Sequence, residues 1–224
     1  MNSFGIYRAF FIILPALVTP LKGQPTIAPT PEVTGPATGE NTGDFNVTQS
    51  FELGHRWFTV GGNLGKYRSD VNFRNGVRLL QGNVTVHSLN GRGKLFDEIV
   101  LSTQGLGGDP YQYASLRLAK NSLFEYNLVW RQNSYYNPAL PLVSGLHLLD
   151  TNRMLQDHNL SLQAAPSLRL LLGYSRNRQS GPSLTTSNLG GSGGTEAALF
   201  GNVRRLQDEY RLGAEFDWKG WRFS

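Results

Sequence analysis

From Tyr111 to Trp130 the chain reads YQYASLRLAKNSLFEYNLVW, two runs of every-other-residue alternation joined across Lys120-Asn121-Ser122. Successive side chains of a β-strand point to opposite faces, so this pattern sorts one strand into two surfaces. The first arm sets Ala114, Leu116 and Leu118 against Tyr113, Ser115, Arg117 and Ala119. The second sets Phe124, Tyr126, Leu128 and Trp130 against Glu125, Asn127, Val129 and Arg131. One surface is apolar and ends in aromatics; the other carries both signs of charge.

The same unit recurs twice. In Asn159–Tyr174, Leu160, Leu162 and Ala164 lie on one side of an Ala165-Pro166-Ser167 turn, with Leu168, Leu170, Leu172 and Tyr174 on the other; Arg169 falls on the opposite face. In Asp208–Phe223, Tyr210, Leu212, Ala214, Phe216 and Trp218 oppose Arg211, Gly213, Glu215 and Asp217, and Lys219-Gly220 supplies a two-residue turn. Between these hairpins lie Asn137–Leu155 and about Gln179–Leu206, the latter including a glycine-rich run from Leu189 to Gly194. Both are expected to be long loops. Soluble domains rarely hold structureless loops of that length, whereas outer-membrane barrels alternate short periplasmic turns with long extracellular loops.

Upstream, Phe45–Val60, Val77–Leu89 and Leu95–Leu106 are expected strands, with Asn90–Lys94 as a short turn and Gly61–Lys66 as another. The expected fold is all-β: an antiparallel up-and-down transmembrane β-barrel of about eight to ten strands. The last of them, starting at Trp221, has only four residues, where a spanning strand needs about 9 to 11. The chain is therefore expected to be the N-terminal portion of a longer barrel.

Only 39% of the 224 residues are hydrophobic and the mean hydropathy is -0.30. No run reaches the roughly 18 apolar residues of a spanning helix, but a barrel tolerates such dilution because half of each strand faces a polar lumen. The absence of cysteine excludes a disulfide scaffold and a cysteine-ligated metal. At the N-terminus, Arg8 followed by the apolar stretch Ala9–Val18 has the form of a signal peptide, which assigns residues 1–23 to export and the protein to the bacterial outer membrane. Residues 24–44, rich in Pro, Thr and Gly, form an expected disordered linker, and residues 45–224 the barrel segment.

A net charge of +5 invites a nucleic-acid partner, yet the basic residues do not cluster. Arg117, Arg131, Arg169 and Arg211, with Glu125, Glu215 and Asp217, fall on the polar face and are expected to line the lumen. Two roles stay open for them: weak anion preference, or paired charges that fill the interior. Leu116, Leu118, Phe124, Tyr126, Leu128, Trp130, Leu168, Leu170, Leu172, Tyr174, Tyr210, Leu212, Phe216 and Trp218 are expected on the lipid side. Among them, Trp130 with Tyr135 and Tyr136 would form an outer aromatic girdle, and Trp218 an inner one.

No enzyme constellation emerges. Gly190–Gly194 has the letters of a nucleophile elbow without the strand and helix that motif needs. His55, His87, His147 and His158 show no ligand spacing, two of them on strands and two at loop ends. The acidic pairs Asp97-Glu98 and Asp208-Glu209 are expected at strand starts, where neighbours face opposite ways. No catalytic residue, cofactor or metal is expected.

The segment Phe51–Pro138, above all LFDEIVLSTQGLGGDPYQYASLRLAKN and YNLVWRQNSYYNP, resembles large bacterial outer-membrane barrels, and within them the MtrB/PioB type that sheathes multihaem cytochromes. The resemblance implies a barrel wall with a periplasmic or multihaem protein partner besides outer-membrane lipid. It rests on strand and turn style, and the chain lacks the N-terminal Cys-x-x-Cys common in that group. The expected function is a channel or scaffold across the outer membrane; the alternatives are a sheath around a cytochrome or other partner, and a soluble secreted β-sandwich binding module.

Overall fold

Ten strands follow one another around a single sheet in the order in which they occur in the chain, each antiparallel to the next. The computed structural model describes residues 39–91, 93–142, 145–188 and 196–224. The signal segment, most of the linker and the Gly190–Gly194 run lie outside the described residues. Strands β1 (Glu40–Thr42), β2 (Phe45–Arg56), β3 (Gly76–Ser88), β4 (Glu98–Leu106) and β5 (Tyr111–Lys120) are followed by four much longer ones and a short last one. These are β6 (Phe124–Leu142), β7 (Gly145–Ala165), β8 (Leu168–Asn188), β9 (Glu196–Trp218) and β10 (Trp221–Phe223), and one helix, α1 (Leu64–Asp70), joins β2 to β3. The fold is thus an all-β, up-and-down antiparallel sheet. It is open, since β1 and β10 do not pair with each other.

Several expected boundaries shift. Asn137–Leu155 and Gln179–Leu206 are not long loops: the strands continue through most of both stretches, as β6 pairs β7 up to Leu142↔Gly145 and β8 pairs β9 up to Asn188↔Glu196. Strict apolar–polar alternation fails there, as in Ala197-Ala198-Leu199-Phe200, apolar on both faces, and Arg204-Arg205, charged on both, while backbone pairing persists regardless of side chain. The Asn90 turn belongs to a longer connection, and β4 begins at Glu98 rather than Leu95. Gly61–Lys66 is not simply a turn, because Asn63 caps α1, its side chain accepting from the Lys66 N–H at 3.1 Å. Residues Glu40–Thr42, expected in the linker, form β1 across a turn at Gly43.

At one end of the sheet the turns are tight. Lys219 and Gly220 both take positive φ, 45° and 85°, the requirement of the two-residue turn most compatible with strand twist. The loop before β4 is fastened to the β5–β6 turn by Asp97, which is 5% exposed. Its carboxylate accepts from the Gly93 N–H at 2.7 Å and the Asn121 N–H at 2.8 Å, and pairs with the Lys120 Nζ at 3.3 Å. Desolvation pushes the Asp97 pKa upward, but the two backbone donors and Lys120 together outweigh it and hold the carboxyl below its ordinary 3.8.

The opposite end has its own clamp. Asp109, between β4 and β5, receives Arg56 Nε at 2.9 Å, Arg56 Nη2 at 2.9 Å and Arg78 Nε at 2.8 Å. Arg78 is 2% exposed, and its remaining donors go to the carbonyls of Val77 at 2.9 Å and Arg74 at 2.6 Å. Gly107, at φ 104°, covers it: a Cβ there would stand 2.7 Å from the Val77 oxygen. Helix α1 packs on β6. Arg68 carries that contact, ion-paired to Asp150 at 3.0 Å and stacked 3.8 Å from the Tyr136 ring.

Removing Asp109 strands a buried guanidinium, so Asp109→Ala is expected to cost about 3–5 kcal/mol in chemical denaturation of the folded protein; a cost below about 1 kcal/mol would show that the clamp is dispensable. For Asp97 the folded pKa lies below the unfolded one, so its contribution is complete above the ordinary value of 3.8 and fades as pH falls through the lower folded value. Asp97→Asn is therefore expected to flatten the loss of stability below about pH 4 in acid melts, and an unchanged acid slope would contradict this.

Candidate functional site

The register of the sheet assembles residues far apart in sequence into continuous rows. One row runs Val47, Val86, Ile99, Leu118, Tyr126, Leu160, Leu172, Leu212, each paired with the next across eight strands. The row beyond it continues Val84, Leu101, Leu116, Leu128, His158, Tyr174, Tyr210. The row toward the tight turns holds Phe124, Leu162, Leu170 and Ala214, followed by Leu168 opposite Phe216. Trp130 heads the same face and Trp218 ends it, opposite Trp221.

Among the described residues no second layer lies over these rows, although helix α1 packs farther along the same face of β6 at Tyr136. Among the described residues no hydrophobic side chain is buried, and Leu212 is 85% exposed, Leu172 40%. On the page of the sheet where the apolar rows end, rings meet in a chain: Tyr126 to His158 at 6.2 Å, His158 to Tyr174 at 5.4 Å and Tyr174 to Tyr210 at 5.2 Å between centroids. His158 Nδ1 shares a hydrogen bond of 2.7 Å with the Tyr126 hydroxyl, and the Tyr174 hydroxyl donates to Asp208 at 2.8 Å. At the opposite margin Phe45 stacks on Phe96 at 5.0 Å.

The other face holds every one of the charged candidates. Arg117 reaches Glu98 at 3.5 Å and Glu125 at 3.4 Å; Arg169 reaches Glu215 at 3.4 Å; Asp217 pairs with Arg222 at 2.8 Å. Arg211 joins Asp157 at 2.7 Å and Glu209 at 3.3 Å, and Asp157 also accepts from Ser175 at 2.7 Å. Arg131 has no ion-pair partner among the described residues. It lines a shallow concavity of about 310 Å³ with Asp157, Ser175, Glu209 and Arg211.

Sequence reasoning missed the partners more than the candidates. Asp157 and Glu98 become visible only through register, because each meets its arginine across strands, whereas Glu209 meets Arg211 within β9. Tyr135 and Tyr136 cannot share a girdle: as neighbours on β6 they face opposite ways, Tyr135 opposite Thr151 and Tyr136 opposite Asp150 under Arg68. Asp208-Glu209 lies in mid-strand rather than at a strand start. All four histidines fall in strands, the side chain of His147 being outside the described residues, and no cluster of three potential metal ligands forms among the described residues.

Comparison with models of known protein families, with curated proteins and with solved structures found no match.

The Arg211–Asp157 pair is about half exposed on both sides. Such pairs contribute about 0–1 kcal/mol, so Asp157→Asn should leave stability nearly unchanged in the same denaturation assay, and a loss as large as that of Asp109→Ala would mean the polar face is a structural core.

Proposed function

We propose that this sheet is part of the wall of an outer-membrane β-barrel, with the apolar face toward lipid and the charged face toward the interior, acting as a channel or scaffold across the membrane. One observation carries the reading: an apolar row eight strands wide in which no side chain is buried. A buried Leu gains about 1.5–3 kcal/mol over an exposed one. Of this row Leu172 and Leu212 are exposed and the other six half-buried, so in water the face would forgo part of that gain at every position. Hydrocarbon removes that cost.

Dimensions support the same reading. The nine residues from Tyr210 to Trp218 bracket the apolar part of β9. At about 3.3 Å per residue this is about 26 Å of strand, or about 20 Å of height at a tilt near 40°, close to the apolar band of such barrels. The aromatic rows at Tyr174 and Tyr210 and at Trp218 and Trp221 then occupy the two interfaces, where amphipathic rings prefer to sit. Beyond Tyr210 the long β6–β7 and β8–β9 hairpins stand clear of the band, with polar and charged residues on both faces beside the exposed Leu199, Phe200 and Leu206. A β-sandwich fits less well, since it needs a second sheet over the apolar rows.

In lipid the exposed edge of β9 needs a neighbouring strand, because unpaired backbone groups there cost several kcal/mol each. On the interior side most arginines are engaged by carboxylates, which suits a filled or scaffolding interior, while Arg131 supplies an unpaired positive charge beside the concavity. The scaffold version includes a sheath around a periplasmic or multihaem partner. Export to the outer membrane, through the segment at residues 1–23, belongs to the same proposal.

Recovery of the protein with outer membranes, and a heat-modifiable mobility on gels, is the expected outcome of cell fractionation; recovery as a soluble periplasmic protein without detergent would overturn the proposal. Leu170→Arg should lower stability in lipid by about 2–4 kcal/mol, whereas Arg169→Leu, one residue along and on the other face, should cost little and change ion preference. Equal effects on folding into vesicles would reverse or erase the assignment of faces.

A further inference from the structure

Just beyond the Tyr174 and Tyr210 row, the face that carries Leu172 and Leu212 changes character. Register is unbroken along β8 and β9 from Leu168↔Phe216 to Asn188↔Glu196, so Arg176, Arg178 and Arg204 share that face with the leucines. Arg176 pairs with Asp208 at 2.7 Å. Arg178, opposite Leu206, and Arg204, opposite Ser180, are diagonal neighbours two positions apart across the ladder. Both are exposed, and among the described residues neither has a carboxylate within ion-pair distance. Among the described side chains, the acidic groups on this face of β7 and β9 are already engaged: Asp208 by Arg176 and Asp150 by Arg68. Arg205 points the other way, as its position between Arg204 and Leu206 requires.

We infer that Arg178 and Arg204 form a binding site for the phosphate of an anionic lipid whose acyl chains lie along Leu172 and Leu212. The inference rests on the lipid-facing assignment made above and specifies which lipid that face selects. Its basis is the complementarity of two adjoining surfaces to one amphiphile. Apolar side chains, 40% and 85% exposed at Leu172 and Leu212, lead past the Tyr174–Tyr210 pair to two free guanidinium groups on the same face. Guanidinium is the side-chain group best matched to phosphate oxygens, which it can bind in a bidentate fashion. Leu206, 61% exposed between the two arginines, gives the lipid's glycerol or acyl base an apolar contact.

The test uses the full chain folded into vesicles of phosphatidylcholine, then into vesicles containing phosphatidic acid, with retained lipid counted by native mass spectrometry. Phosphatidic acid is expected to be enriched over phosphatidylcholine. Each arginine near an anionic surface is worth a factor of about five, so Arg178→Gln and Arg204→Gln should each lower the enrichment about fivefold, and the double variant about 25-fold. A double lysine variant, Arg178→Lys with Arg204→Lys, should keep most of it. Inorganic phosphate should not displace the lipid. Absence of enrichment, enrichment unchanged in the double glutamine variant, or full displacement by inorganic phosphate would each overturn the inference. Failure of the unaltered protein to insert into phosphatidylcholine would instead overturn the membrane assignment, and with it this site; insertion without enrichment would overturn the site alone.

Discussion

A single antiparallel sheet has two faces, and each must be satisfied by something outside it. Here the polar face satisfies itself through ion pairs, but the apolar face has rows of Leu, Ile, Val and Tyr with no layer over them. On the proposed reading that face meets a continuous apolar phase rather than a second sheet. Its margins are aromatic, its height of about 20 Å approaches the apolar band of a membrane barrel, and it spans eight strands without a charged interruption in its central row. The hydrophobic effect, which in a soluble domain draws a sheet onto a partner layer, would here act between sheet and surroundings.

Because no hydrophobic core holds the strands together, cohesion depends on backbone ladders and on polar clamps at the two ends. Asp97 ties three consecutive strands at the tight-turn end, and Asp109 with Arg56 and Arg78 ties β2, β3 and the β4–β5 connection at the other. These buried, fully hydrogen-bonded groups contrast with the half-exposed pairs along the polar face. The former fix geometry; the latter set the charge of a surface. Among the candidate arginines Arg131 is the exception, with no ion-pair partner among the described residues, and it leaves the concavity beside it positively biased.

Much of this was legible in the sequence where side chains report the environment. Within Tyr111–Trp130, Asn159–Tyr174 and Asp208–Phe223 the alternation located strands, faces and turns, and Lys219-Gly220 is the two-residue turn its composition implies. Where neighbouring residues of one strand are alike, as at Ala197–Phe200 and Arg204-Arg205, alternation vanishes although hydrogen bonding continues, and strands pass for loops. Helix α1 escaped because its seven residues carry no apolar period; only the cap at Asn63 marks it. Pairings such as Arg211 with Asp157, and the clustering of Arg178 with Arg204, require a register that no local pattern encodes.

The proposed lipid contact of the apolar rows is directly measurable, since the chain contains no cysteine and single substitutions label uniquely. A fluorophore placed in turn at each position from Leu168 to Ser175 on β8, in protein folded into vesicles, can be quenched by nitroxide-bearing lipid or by a water-soluble quencher. Lipid quenching is expected at 168, 170, 172 and 174, and aqueous quenching at 169, 171, 173 and 175. Quenching by the aqueous agent at all eight positions, with none by lipid, would contradict a membrane-facing sheet.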